Sequence, residues 1–181
     1  MSHRAPNLAY LVTRNARRFP DRVALRWGEK TWSWRQIDAA VSSLAAALRA
    51  RGVVKGDRVL VHARNGDEMF VSMFAVFRLG AVWVPTNFRL MPDEVVWLAT
   101  SSGARAFLCH ADFPDHARAV AAGAPAIEFV WSLQGEGFGE TSCARAMAAQ
   151  AGAALADAAV DYDDPCWFFF TSGTTGRSKA A

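Results

Sequence analysis

The residues best suited to chemistry stand together late in the sequence, in Trp167-Phe-Phe-Phe-Thr171-Ser-Gly-Thr-Thr-Gly-Arg-Ser-Lys179. The aromatic run predicts a buried strand, and the abrupt switch to hydroxyls, two glycines and a lysine predicts a loop at the strand's end. Gly173 and Gly176 let the backbone turn and approach an anion closely. Exposed backbone N–H groups, with the hydroxyls of Thr171, Ser172, Thr174 and Thr175, can donate to non-bridging phosphate oxygens, and Lys179 adds a full positive charge. This donor set suits a triphosphate or pyrophosphate. The plainer alternative is a Ser/Thr/Gly surface turn, against which stands the apolar strand leading in.

Two familiar glycine loops are excluded by spacing. A Walker A loop places lysine directly after the second of two glycines five apart, whereas Ser178 stands five beyond Gly173, and Lys179 is three beyond Gly176. A dinucleotide fingerprint needs G-x-G-x-x-G between a strand and a helix, and no such string occurs.

The elements that must hold this loop alternate along the chain. Asn7 can cap a helix carrying Leu8, Leu11, Val12 and Phe19 up to Pro20. Val23–Trp27 and Lys30–Trp34 flank the turn Gly28-Glu29 and predict a hairpin. Ser33 and Gln36 form a capping box for a helix with Ile37, Val41, Leu44 and Leu48 on one stripe, closed by Gly52. Strand 58–62, a helix from Asn65 or Asp67 to Gly80, strand 81–84, a helix opened by Pro92 and ending near Gly103, strand 105–109, helix 112–122 and strand 127–131 follow. The fold class is therefore α/β, with predominantly parallel sheet layers flanked by helices and an N-terminal β-hairpin. The segment 134–139 is expected to be a loose loop, Cys143 to Ala159 helical only at its start, and Asp161–Pro165 a turn feeding the phosphate strand.

The chain has 181 residues, 52% hydrophobic and 20% charged, which fits one globular core and excludes a disordered or collagen-like chain. Its net charge of +3 comes almost entirely through arginines, which are scattered rather than run together, so they read as solvated faces and not as a nucleic-acid stripe. Cys109, Cys143 and Cys166 are an odd number at wide spacing, which argues against a disulfide framework or zinc site and for a reducing compartment. No signal-peptide core or transmembrane run is present, so the expected location is cytoplasmic. Asp161, Asp163 and Asp164 read as a solvated turn and not as metal ligands. His62, His110 and His116 lack ligand spacing and read as ordinary strand-end or surface histidines. The tryptophans read as core or face residues.

The loop resembles the signature T-S-G-T-T-G-x-P-K-G of the adenylate-forming superfamily, which includes acyl-CoA synthetases, luciferases and peptide-synthetase adenylation domains. Ser178 replaces the usual proline and Ala180 the usual glycine. Asp21-Arg-Val-Ala-Leu, Trp32-Ser-Trp-Arg-Gln-Ile, Gly56-Asp-Arg-Val, Gly80–Asn87 and Asp163-Asp-Pro165 resemble, in order, further landmarks of acyl-CoA synthetases. Asn87, where amino-acid adenylation domains usually carry Asp, is more similar to the acid–CoA ligases.

The resemblance implies activation of a carboxylic acid, a fatty acid being the leading expectation, by ATP with Mg2+ assisting. Transfer to coenzyme A follows. By position, Thr171, Ser172, Gly173, Thr174, Thr175, Gly176 and Lys179 would bind the nucleotide phosphates, with Thr171, Thr174 and Lys179 acting in catalysis. It also implies that residues 1–181 are a partial N-terminal AMP-binding domain with the C-terminal domain absent. The adenine site, acyl pocket, hinge and C-terminal lysine of the family lie downstream. The chain alone is then expected to be inactive and to carry an unfilled sheet edge, and a homo-oligomer is compatible with it. A different reading is a non-catalytic nucleotide- or phosphate-binding module, or a truncated gene product acting through interaction.

Overall fold

A computed structural model describes residues 4–171 and 179–180. In chain order it contains β1 (Arg4–Ala5), α1 (Tyr10–Arg18), β2 (Val23–Trp27), β3 (Lys30–Ser33), α2 (Trp34–Ala50), β4 (Arg58–His62) and α3 (Asp67–Arg78). Then come β5 (Val82–Thr86), α4 (Pro92–Ser102), β6 (Ala106–His110), α5 (Pro114–Gly123), β7 (Phe129–Leu133), β8 (Thr141–Ser142) and α6 (Cys143–Ala149). Three short strands close the series, β9 (Val160–Asp161), β10 (Phe170–Thr171) and β11 (Lys179–Ala180).

The centre is a five-stranded sheet in the order β5-β4-β6-β7-β8, parallel throughout. Its strands bury both faces, so successive residues serve different cores. Val59, Val61, Leu108 and Trp131 pack with α2 and α3, whereas Leu60, Phe107, Cys109 and Val130 pack with α4 and α5. The α/β class with an N-terminal hairpin is thus the observed architecture. No helix among the described residues is long and apolar enough to cross a membrane.

Local signals place most elements. Ser33 accepts a hydrogen bond from Gln36 N while Gln36 accepts from Ser33 N, the reciprocal box that starts α2. Pro92 opens α4, and Gly103, at φ 61°, ends it in the left-handed region. The hairpin β2–β3 docks through Trp32 Nε1, which donates to Asp67 Oδ2 at 3.0 Å, and through Lys30, whose ammonium is 2.5 Å from the same atom. Burial works to raise the Asp67 carboxyl, but the contacts from Lys30, Trp32 and the Glu68 N–H outweigh it and hold the group below the usual range.

Four expectations change. Strand β5 runs on through Pro85 to Thr86. Trp83 uses its N–H and carbonyl on the outer side of the sheet, toward Cys166 and Phe168, and Pro85, two residues on, shares that orientation, so its missing N–H removes no bond to β4. The α1 stripe is narrower than expected: Ala9 and Val12 are buried, but Leu8 and Leu11 are exposed. Asn7 Oδ1 accepts from Ala9 N at 2.9 Å, and Asn7 Nδ2 reaches Phe77 O and Ala158 O, so the residue ties distant segments as well as turning the chain. The 134–139 loop is tied down: Gln134 N donates to Glu68, Ser132 to Gly135 O, and Arg145 grips Glu136 through two 2.6 Å bonds. Finally, the aromatic run at 167–170 is a half-exposed edge segment, not a buried strand, with Phe169 55% exposed.

A buried arginine joins the helices of one face. Arg78, at the end of α3, is 1% exposed and directs its N–H groups to Asp157, Asp38, Ser42 and Thr13 at 2.9, 2.6, 2.6 and 2.9 Å, with a longer bond to Asp38 O. Replacing Arg78 by Met would leave two carboxylates partly enclosed without their cation. We expect a loss of about 3 kcal/mol in unfolding free energy, measured by urea denaturation, from the usual cost of removing one partner of a buried pair. A loss below about 1 kcal/mol would show that the network is dispensable.

Candidate functional site at the carboxyl end of the sheet

In an open parallel sheet the carboxyl ends of the strands, and above all the point where connections diverge, are where ligands gather. Here the chain leaves β4 toward β5 and leaves β6 toward β7, so the divergence lies between β4 and β6. That crevice is filled by side chains. His62 and His116 stack with ring centres 4.3 Å apart, and Phe113 meets His62 and His116 edge-on, at 4.7 and 5.4 Å. Three histidines spread over 55 positions of sequence are thereby gathered around one phenylalanine, a grouping their separate spacings do not reveal.

Hydrogen bonding fixes the imidazole tautomers. His116 Nε2 is 2.8 Å from Leu90 O, which can only accept, so Nε2 carries the proton. Thr86 Oγ1 donates to Val61 O and lies 2.6 Å from His62 Nδ1, so His62 Nδ1 donates to Thr86. His62 Nε2 and His116 Nδ1 are then bare lone pairs without partners among the described residues. Near-parallel rings direct such lone pairs side by side and not to a common point, which does not suit a shared metal ion. Among the described residues no group of three or more His, Cys, Asp or Glu has metal-holding geometry.

Burial first, then the nearby His116 and His110, push the His62 pKa down from 6.5 to about 3. The unfolded chain therefore binds a proton that the folded chain refuses between these values, and stability falls as pH drops through the window. His62 should contribute a slope of about 1.4 kcal/mol per pH unit there. Urea titrations of the protein and of His62→Gln at pH 4, 5 and 6 should differ in slope by about one proton; parallel slopes would refute it.

The segment expected to lead into the anion loop lies along the outer edge of β5. Trp83 N donates to Cys166 O at 2.9 Å and Phe168 N to Trp83 O at 3.1 Å, so segment 166–168 runs parallel to β5 and leaves at the same end of the sheet. Its side chains alternate as a strand's should. Trp167 packs with the α2–α3 core, edge-on to Trp83 at 4.7 Å and stacked on Phe169 at 4.5 Å, whereas Phe168 and Phe170 face the α4 side. β10 then pairs antiparallel with β11, setting Thr171 opposite Lys179. Ser172, Gly173, Thr174, Thr175 and Gly176, the other expected phosphate ligands, lie outside the described residues.

Other candidate groups have structural roles. Asp164 accepts from Lys55 and from Asp161 N, both at 2.6 Å, and the Lys55 contact holds its carboxyl below the usual range, so the acidic turn is clasped and not simply solvated. Cys109 and Cys143 are buried. Burial pushes the Cys109 thiol up to about 12 and Cys143 upward too, leaving neither prone to act as a thiolate. Gly66, at the start of α3, has its side-chain space taken by Gln134: a Cβ there would overlap Gln134 Nε2. The loops after β4 and β7 are therefore interlocked at the same end of the sheet.

A family model described as AMP-binding enzyme matches residues 12–181. The chain is 36% identical over 174 residues to a feruloyl-CoA synthase from Amycolatopsis sp, covering 93% of this chain and 31% of that protein. It is 27% identical over 185 residues to a medium/long-chain-fatty-acid–CoA/3-oxocholest-4-en-26-oate–CoA ligase from Mycobacterium marinum, covering 97% and 33% respectively. Among solved structures it is similar to the anthranilate CoA ligase AuaEII in complex with anthranoyl-AMP, with a TM-score of 0.90 and 26% identity, over 97% of this chain and 34% of that one. The chain spans about a third of the length of the curated relatives it matches. By the extent of the family match, which takes in the sheet and its flanking helices, the chain belongs to the AMP-binding enzyme family.

Proposed function

We propose that this chain is the front part of an ATP-dependent acid–CoA ligase, a partial N-terminal AMP-binding domain working in a cytoplasmic setting. The observation that carries the reading is the stem of the loop: β10 and β11 bring Thr171 and Lys179 opposite each other at the carboxyl end of the sheet. The segment between them carries the hydroxyls and glycines whose chemistry suits a chain of phosphates.

In the proposed reaction an oxygen of the acid's carboxylate attacks the α-phosphorus of ATP. The bond to the β-phosphate breaks, pyrophosphate leaves, and an acyl-adenylate remains. The thiol of coenzyme A then attacks the acyl carbon, losing its proton, and AMP leaves. Negative charge grows on the departing pyrophosphate, so the chain's task is to position and neutralise it. Lys179 supplies the charge, Thr171 and Thr174 supply hydroxyl donors, and Ser172, Gly173, Thr175 and Gly176 complete the cradle. Mg2+ would offset phosphate charge when bound. A fatty acid is the proposed substrate class, and the names of the relatives make aromatic acids the comparison to run beside it.

Two experiments test this reading. In a full-length version, Lys179→Ala should slow acid-dependent pyrophosphate exchange by on the order of a hundredfold, the scale of one lost transition-state donor, while binding of a preformed acyl-adenylate changes little. Equal losses in both would remove Lys179 from the pyrophosphate clamp. The 181-residue chain by itself should show no acid-dependent ATP–pyrophosphate exchange; robust exchange would contradict its assignment as a part.

A further inference from the structure

The arginines are spread through the sequence, yet their pairing in the fold is uneven. Arg51 meets Glu140, Arg64 meets Asp112, Arg118 meets Asp115 and Arg145 meets Glu136, at 2.6 to 2.9 Å. By contrast Arg14, Arg17, Arg18 and Arg22 are all exposed, and no carboxylate pairs with any of them among the described residues. Asp21, the acid in their midst, is engaged by Arg35 at 3.1 Å.

These cations share a surface with apolar side chains that the core leaves out. Positions 10, 11, 14, 17 and 18 recur at helical spacing on the outer face of α1, opposite buried Val12. Tyr10 and Leu11 are each 46% exposed, Leu8 is 41% exposed, and Phe19 lies beneath the guanidinium groups of Arg18 and Arg22, at 5.4 and 5.1 Å from its ring centre. Arg17 and Arg18 also complement the carbonyl end of α1. Arg14 and Arg22 have no such role.

We infer that the outer face of α1, extended through Phe19 and Arg22, is a docking surface for an anionic lipid bilayer. Uncompensated arginines call for a partner of negative charge. Tyrosine, leucine and phenylalanine among them call for one that is apolar just beneath its charged layer, which a lipid surface is and a nucleic-acid backbone is not. The helix would lie in the interfacial plane, with Tyr10 and Leu11 entering and the guanidinium groups at the level of the phosphates. This inference stands on charge and exposure alone and does not depend on the ligase reading.

Sedimentation of the whole chain with vesicles tests it. Phosphatidylglycerol-containing vesicles should carry the protein down and pure phosphatidylcholine should not, with binding falling as salt rises. The triple variant Arg14→Gln/Arg17→Gln/Arg18→Gln should reduce partitioning by on the order of a hundredfold, and Leu11→Ser/Phe19→Ser should reduce it even at low salt. Arg118→Gln, which alters an arginine already paired, should leave it unchanged. Circular dichroism of each variant checks that the fold is intact. Absence of binding to anionic vesicles, or binding indifferent to the triple substitution, overturns the inference. So does tighter capture by duplex DNA through the same arginines, which would make the surface a nucleic-acid contact.

Discussion

The mutual placement of the helices on one face of the sheet depends on satisfying Arg78. A guanidinium enclosed this fully must have each of its N–H groups accepted, and the acceptors come from α1, α2 and the segment at Asp157. The requirement determines more than the charge. Thr13 holds α1 in place, Asp38 and Ser42 set the rotation of α2 against α3, and Asp157 draws the long excursion after α6 back to the body of the fold. Asp157 also accepts from Thr13, so the acceptors are themselves linked. Apolar contacts supply the bulk of the attraction between these helices, but they are tolerant of small rotations. The planar fork of Arg78 is much less so.

The opposite edge is ordered by aromatic contact. Trp83 accepts segment 166–168 through two backbone bonds, and the Trp83–Trp167–Phe169 series fixes the direction in which the chain continues. The stem that follows, with Thr171 opposite Lys179, is thereby aimed at the carboxyl end of the sheet. The crevice between β4 and β6, where an open sheet would usually admit a ligand, is instead packed with His62, Phe113 and His116.

What could be read from the sequence followed the range of the interactions involved. The box at Ser33 and Gln36, Pro92 with Gly103, and the period-two strands are decided within a few residues, and the sequence states them openly. The fold class followed from these together, and the family resemblance from Thr171–Gly176 with Lys179 and the landmark segments ahead of them. Longer-range facts were not visible. That the strand expected to end at position 84 runs on through Pro85 was not legible, because only pairing tells which side of the strand its nitrogen faces. Leu8 and Leu11 resembled core positions, because periodicity cannot say how wide a stripe the neighbouring helix will cover. The histidine cluster needs β4, β6 and α5 in place before it exists. The loop 134–139 looked loose from its glycines, while its ties to Glu68 and Arg145 come from elsewhere in the chain.

The partners of Arg78 also impose an order on how the chain is made. Thr13 and Asp38 precede the arginine, but Asp157 follows it by 79 residues. During synthesis the front helices and the first parallel strands leave the ribosome well before that carboxylate does, and long-range closure of this sort is slow to form. Until it arrives, Asp38 already balances the charge of Arg78, but the guanidinium Nε–H lacks the acceptor that Asp157 supplies. A chain ending short of Asp157 would therefore enclose one unsatisfied donor at the end of α3, a cost that arises only when that turn is buried.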